Sequence, residues 1–261
     1  MMPPALVLMF HGIDGPRSRA VGYAADGHYT VASTRFGAML DALGSAGCTL
    51  GAARDLMDDE ASPRPVWLTF DDGDASNALE ALPLLAERGL KADFFITPAR
   101  VGRPGFMGWA ELRQMASAGM SLQSHGHTHA YFTHLDPAAL REELRVSKDQ
   151  LEQGLGQPVT LLAPPGGRVP RGLVPLARSL GYRAVLDSTP GLVGARDPSR
   201  ALPRVAVTAG HSVDTVVAWA TGGPAALRRL RLRHRVLATA KAVLGDERYE
   251  RWRGRALGAT A

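Results

Sequence analysis

Seven short apolar runs punctuate the chain, at residues 5–10, 66–70, 92–97, 120–124, 159–163, 183–186 and 204–207. Each is short enough to read as a buried strand. The segments between them carry helical spacing instead. Phe36, Met39, Leu40 and Leu43 recur at i, i+3, i+4 and i+7. Leu79, Leu82, Leu84 and Leu85 run into Glu87-Arg88-Gly89, a helix-ending signal. Trp109, Leu112 and Met115 lead to Gly119, and Leu173, Leu176 and Leu180 precede Gly181. Asp136-Pro137 opens a further helix, the aspartate as N-cap and the proline in the first turn. Strands alternating with helices predict a parallel α/β architecture, either a doubly wound sheet or a barrel. Residues 14–30 contain no periodic element and read as a long loop.

Past Gly222-Gly223-Pro224 the pattern changes. A helix is expected over residues 227–244, with Arg228, Arg231 and Arg235 on one side and Leu230, Leu237 and Leu244 on another. A second short helix is expected around Tyr249 and Trp252. Residues 1–222 therefore read as the main domain and 223–261 as a basic helical extension. The net charge of +5 is uneven: residues 223–261 hold ten Lys or Arg against three Asp or Glu, leaving the first 222 residues slightly acidic. A basic tail on a near-neutral body argues against nucleic-acid binding. The extension reads first as a packing appendage with a solvated charged face, and alternatively as a docking surface for an acidic partner or an anionic membrane. One cysteine, Cys48, excludes an internal disulfide. No apolar run reaches the roughly 18–20 residues of a membrane helix. The first ten residues lack a basic start and read as a strand, which gives the expectation of a cytoplasmic protein.

Candidate chemistry sits just past the strand ends. Thr69-Phe70-Asp71-Asp72-Gly73 follows the second run. Adjacent carboxylates repel unless a cation relieves them, so one can bind a divalent metal while the other acts as a base. The same residues also suit a plain turn. Four of the eight histidines fall in Ser124-His125-Gly126-His127-Thr128-His129 and at His134. Imidazoles at this density suit zinc. His125 and His129, four apart, are expected on one face of a helical turn, with His127 off that face. Ala163-Pro164-Pro165-Gly166-Gly167 brings backbone close to a ligand or is simply a rigid loop. His11 ends the first run. Parallel α/β folds gather active sites at this edge of the sheet.

The order Thr-Phe-Asp-Asp-Gly, then Ser-His-x-x-x-His, then Pro-Pro-Gly-Gly resembles the polysaccharide deacetylase family with the NodB-homology domain, over roughly residues 5–210. The resemblance implies a distorted (β/α)7 barrel. It also implies a single divalent metal, commonly zinc, and removal of acetyl groups from N-acetylated saccharides. By position, Asp71 would be the general base, and Asp72, His125 and His129 the metal ligands. Pro165, Gly166 and Gly167 would contact substrate. The family's base-orienting arginine is replaced here by Ala163, with Arg204 or Arg168 as substitutes and Arg204 preferred. The usual late Leu-x-Leu-His strand is absent and His211 matches it poorly. Phe10-His11 resembles the strand-His motif of one branch, so His11 is assigned as the acid. Such a cytoplasmic enzyme would meet saccharide precursors, lipid-linked ones at the inner membrane face among them. Two rivals stand beside this reading. One is another metal amidohydrolase using the pair His125-Gly-His127, and the other is a saccharide-binding module without turnover.

Overall fold

The computed structural model describes residues 4–22, 27–56, 63–194 and 199–244. Eleven strands occur among them: β1 Ala5–Phe10, β2 Ile13–Asp14, β3 Val31–Ala32, β4 Thr49–Gly51, β5 Pro65–Phe70, β6 Asp93–Ile96, β7 Ser121–Ser124, β8 Leu161–Leu162, β9 Ala184–Val185, β10 Leu192–Val193 and β11 Val205–Ala206. Each of the seven apolar runs contains a strand, and these seven lie side by side. The parallel neighbours run β1-β5-β6-β7-β8-β9, and β11 pairs with the other side of β1. A single parallel bridge, Leu186 to Leu202, joins the end of β9 to the approach of β11. The sheet thus curls into a distorted (β/α)7 barrel, thinnest at that bridge. The remaining strands trim its edges: β10 pairs antiparallel with β1, β4 lies along β5, and β2 pairs with β3.

Alternation along each strand separates two cores. Ala5, Val7, Trp67, Phe95, Leu161, Ala163 and Leu186 fill the barrel interior. Leu6, Leu8, Phe10, Val66, Leu68, Phe70, Phe94, Ile96 and Leu122 face outward under the helices. Both faces being buried, the strands read as continuous apolar runs. The helix Ser33–Ser45 covers this outer layer with Phe36, Met39, Leu40 and Leu43, the four residues its spacing singled out. Asp136 caps the helix Pro137–Leu155, accepting hydrogen bonds from the Ala138 and Ala139 N–H groups.

Two elements depart from the sequence reading. The stretch read as a loop takes in the end of β2 at Asp14 and the short helix Pro16–Ala20, and leads up to β3. Its ordering is non-local: the buried Glu80 carboxylate accepts the Ser18 N–H at 2.8 Å. The Leu79–Gly89 helix begins as a π-helical turn, Asn77–Ala81, before the α-helical Leu82–Ala86. The basic helix spans Arg228–Leu244, and the expected helix at Tyr249 and Trp252 lies outside the described residues.

Candidate active site

The inward-facing rows end in chemistry. On β1, Ala5 and Val7 lead to His11; on β5, Trp67 leads to Asp71; on β7, Ser121 and Gln123 lead to His125. The register sets Phe10 beside Phe70 and Ile96 beside Ser124, so these rim residues stand at one end of the barrel. The Asp71 N–H donates to the Phe10 carbonyl at 2.9 Å, and the His125 N–H to the Ile96 carbonyl at 2.9 Å.

Asp71 is buried against an equally buried arginine. Arg204 Nη1 lies 2.7 Å from Oδ1 and Nη2 2.8 Å from Oδ2, a two-pronged fork. Arg204 Nε donates to the Asp187 carbonyl at 2.8 Å, which fixes the plane of the fork. Burial alone would raise the Asp71 pKa, but the Arg204 charge and hydrogen bonds, with lesser help from His125 and His11, hold it below the ordinary carboxylate value. Asp71 is therefore a carboxylate at neutral pH. Arg204 precedes β11 by one residue and occupies an inward position; Arg168 instead stacks its guanidinium 3.6 Å from the centre of the Tyr131 ring.

Beside this pair stand three metal-type donors. One ligand atom each from Asp72, His125 and His129 lies within 4.8 Å of the others. Asp72 Oδ1 is 2.8 Å from His129 Nε2 and 3.6 Å from His125 Nε2. His125 Nδ1 is 2.8 Å from the Ala163 carbonyl, so that nitrogen carries the proton and Nε2 presents its lone pair to the cluster. Burial pushes the His125 pKa down to about 4, outweighing the Asp71 and Asp72 charges, and a neutral imidazole is the form that ligates. Burial would raise the Asp72 pKa, yet the hydrogen bond from His129 and the neighbouring histidines hold it well below the usual range. Asp72 (φ 75°) and His129 (φ 68°) are the non-glycine residues at positive φ among those described. Left-handed backbone at a non-glycine residue costs about 1–3 kcal/mol. That two of the three donors carry it shows the backbone bent to point them at one spot. One carboxylate and two imidazoles, with one imidazole's tautomer set, fit a zinc-like divalent ion.

The expected helical turn through His125 and His129 is not formed. Residues 125–130 are an irregular loop, and the two imidazoles meet, centroids 5.1 Å apart, because Gly126 (φ 78°) and His129 both take left-handed backbone. A helix cannot accommodate those two angles. His127 lies outside the donor group, so the His-x-His pair of the rival amidohydrolase reading does not assemble.

The loop is held from behind by a residue that sequence reasoning missed. The buried Glu143 carboxylate accepts the Thr128 N–H at 2.6 Å and the Thr128 hydroxyl at 3.0 Å. One turn on, Ser147 Oγ meets Ser124 Oγ at 2.7 Å. Glu143→Ala should weaken zinc affinity about 10–100-fold, as loss of groups behind ligands does. Zinc titration calorimetry checks this, and unchanged affinity would show the loop to be self-supporting.

The turn Pro165–Gly167 shares the rim. Gly166 and Gly167 have φ of 63° and 65°. A Cβ at Gly166 would sit 2.8 Å from the Tyr131 ring, and one at Gly167 only 1.8 Å from Ser188 Oγ, so the turn packs too closely for any side chain. The Gly167 N–H is taken by the Pro164 carbonyl and the Arg168 N–H by Pro165. His11 packs at a tilt on Tyr29, centroids 4.7 Å apart, and its buried Nδ1 has no hydrogen-bond partner. Its carbonyl accepts from Asn77 Nδ2 at 2.7 Å. His211 is turned elsewhere, accepting the Thr208 N–H at its Nδ1 and packing on Trp219. Arg100 Nη1, also missed, reaches Asp72 Oδ1 at 3.3 Å.

Residues 58–185 match the polysaccharide deacetylase family model. The Bacillus subtilis (strain 168) protein YxkH, whose name assigns it provisionally to the polysaccharide deacetylases, is 30% identical over 155 residues, 59% of this chain and 56% of its own. A peptidoglycan-N-acetylglucosamine deacetylase of Bacillus cereus is 28% identical over 124 residues, 47% of this chain and 56% of its own. The chain thus spans little more than half the length of these curated relatives. The Streptococcus pyogenes deacetylase PplD, solved with acetate, superposes with a TM-score of 0.74 at 22% identity over 84% of this chain and 99% of its own, a likeness of fold. Over residues 58–185, close to half its length, the chain is similar to the polysaccharide deacetylase family.

Proposed function

We propose that this chain is a metal-dependent N-deacetylase acting on an N-acetylated sugar or saccharide. The observation that carries the reading is the convergence of Asp72, His125 and His129 beside a second carboxylate, Asp71, that is locked in its ionised form. Asp72, His125 and His129 would hold one divalent ion, zinc by the character of the donors. Such an ion supplies Lewis acidity toward the amide oxygen and lowers the pKa of water.

The chain's own groups account for the proton traffic. Asp71 takes a proton from the attacking water on a carboxylate oxygen. Arg204 keeps that carboxylate charged and oriented before the proton arrives. The Gly166 N–H, on the turn whose next two N–H groups are already engaged, is the backbone donor for the oxyanion. His11, at the barrel rim with its ring held against Tyr29, gives a proton to the departing amine nitrogen. The N-acetylglucosamine in the name of the Bacillus cereus relative supports an acetylated amino sugar as the substrate class.

Metal analysis of the purified protein should find one divalent ion per chain. Dipicolinate should abolish acetate release from a panel of N-acetylated oligosaccharides, and zinc should restore it. Neither bound metal nor released acetate would leave the proposal without support.

A further inference from the structure

The helix Arg228–Leu244 joins the body through its inner face. Leu227, at its start, is fully buried in the main core, Leu230 packs against that core, and Arg231 Nε reaches the Pro190 carbonyl at 3.3 Å. At about 100° per residue, positions 227, 230, 231 and 234 share that side. The opposite side is unusual. Leu232 and Val236, one turn apart, are 66% and 61% exposed, among the few large apolar side chains so exposed in the described residues. Arg228 and Arg235 flank them on one edge, Arg229 and Arg233 on the other, all exposed. No Asp or Glu occurs between residues 215 and 245.

We propose that this outer face docks on an anionic membrane surface, with Leu232 and Val236 entering the headgroup boundary and the four arginines meeting lipid phosphates. The inference is independent of the deacetylase reading. An apolar line with basic residues at equal offsets on both edges is suited to a plane, where both edges lie at the same depth. Arginine stems cover apolar surface while their heads reach phosphate. A folded acidic partner is a poorer match. The face is convex and, among the described residues, presents two large apolar side chains, whereas a specific protein interface covers about 800 Å² per partner. Among the described residues no helix is long and apolar enough to cross a membrane, so the contact is peripheral.

Flotation of the full chain with vesicles tests this. The chain should rise with phosphatidylcholine–phosphatidylglycerol vesicles at low salt, stay behind with pure phosphatidylcholine, and lose binding as salt screens the arginines. Leu232→Glu with Val236→Glu should cut the bound fraction about tenfold or more, with acetate release from a soluble substrate unchanged. Arg228→Glu with Arg235→Glu should act likewise. Equal capture by neutral vesicles, or wild-type flotation of the Leu232/Val236 variant, overturns the proposal. So does capture by immobilised poly-glutamate without vesicle binding, which would point to an acidic protein. Absence of binding to any anionic vesicle overturns it too, whatever else covers the face.

Discussion

Asp71→Asn should lower turnover of an acetylated saccharide by about 10²–10⁴-fold, the contribution a positioned general base makes. Bound metal should remain stoichiometric. The substitution is nearly isosteric, so the rim keeps its shape, and none of the three donors is altered. What disappears is the capacity to accept a proton: an amide cannot replace a carboxylate held ionised by two guanidinium contacts at 2.7 and 2.8 Å. Acetate release measured together with metal content checks both halves. Wild-type turnover would remove Asp71 from the chemistry. Retained saccharide binding with no turnover in the native chain would favour the binding-module reading instead.

Arg204→Met should be as damaging, by a different route. Arg204 is fully buried and Asp71 almost so. Removing one partner of a buried pair costs about 3–5 kcal/mol, because the other charge is left uncompensated. The sign with pH follows. In the native protein the folded pKa of Asp71 lies below its ordinary 3.8. The pair therefore contributes fully above about pH 4 and loses its contribution as pH falls through the folded value. Without Arg204, burial raises that pKa instead, and folding must bury a charge at every pH above it. The stability gap between native and variant should accordingly be wider at pH 7 than at pH 4, and close further as pH falls below the ordinary carboxylate value, in denaturant titrations. The acid limb of kcat/KM should move to higher pH in the variant. A gap that does not change with pH would show that Arg204 acts through packing on Phe95, whose ring centre lies 5.2 Å away, and not through charge.

Much of the fold was legible because both faces of the barrel wall are buried. Apolar side chains then run unbroken along each strand, and seven such runs coincide with seven parallel neighbours. Closure was not legible, since a doubly wound sheet shares that pattern; it depends on one bridge, Leu186 to Leu202, whose second residue lies before the last apolar run in sequence without strand signal. The site divides in the same way. Asp71, Asp72, His125, His129 and the Pro165–Gly167 turn sit in compact motifs and fall within the matched residues 58–185. His11 and Arg204 lie outside that segment on either side, and they emerged through the resemblance, His11 from the Phe10-His11 pair and Arg204 as a substitute for the family's arginine. Glu143, Arg100, Asn77 and Tyr29 left no trace, because each acts on a residue distant in sequence through a contact that only tertiary packing creates. The helical turn assumed for His125 and His129 failed for a related reason: four-residue spacing signals a helix only where the backbone stays right-handed.

The thin seam of the barrel has an implication for synthesis. Arg204 follows Leu202, whose bridge closes the wall, so the guanidinium reaches Asp71 only when the last stave is laid. A nascent chain halted near residue 200 would already hold the acid pair and both imidazoles, yet would enclose a lone anion that disfavours compaction. Closure of the wall and pairing of the buried Asp71 carboxylate with its guanidinium are thus one event.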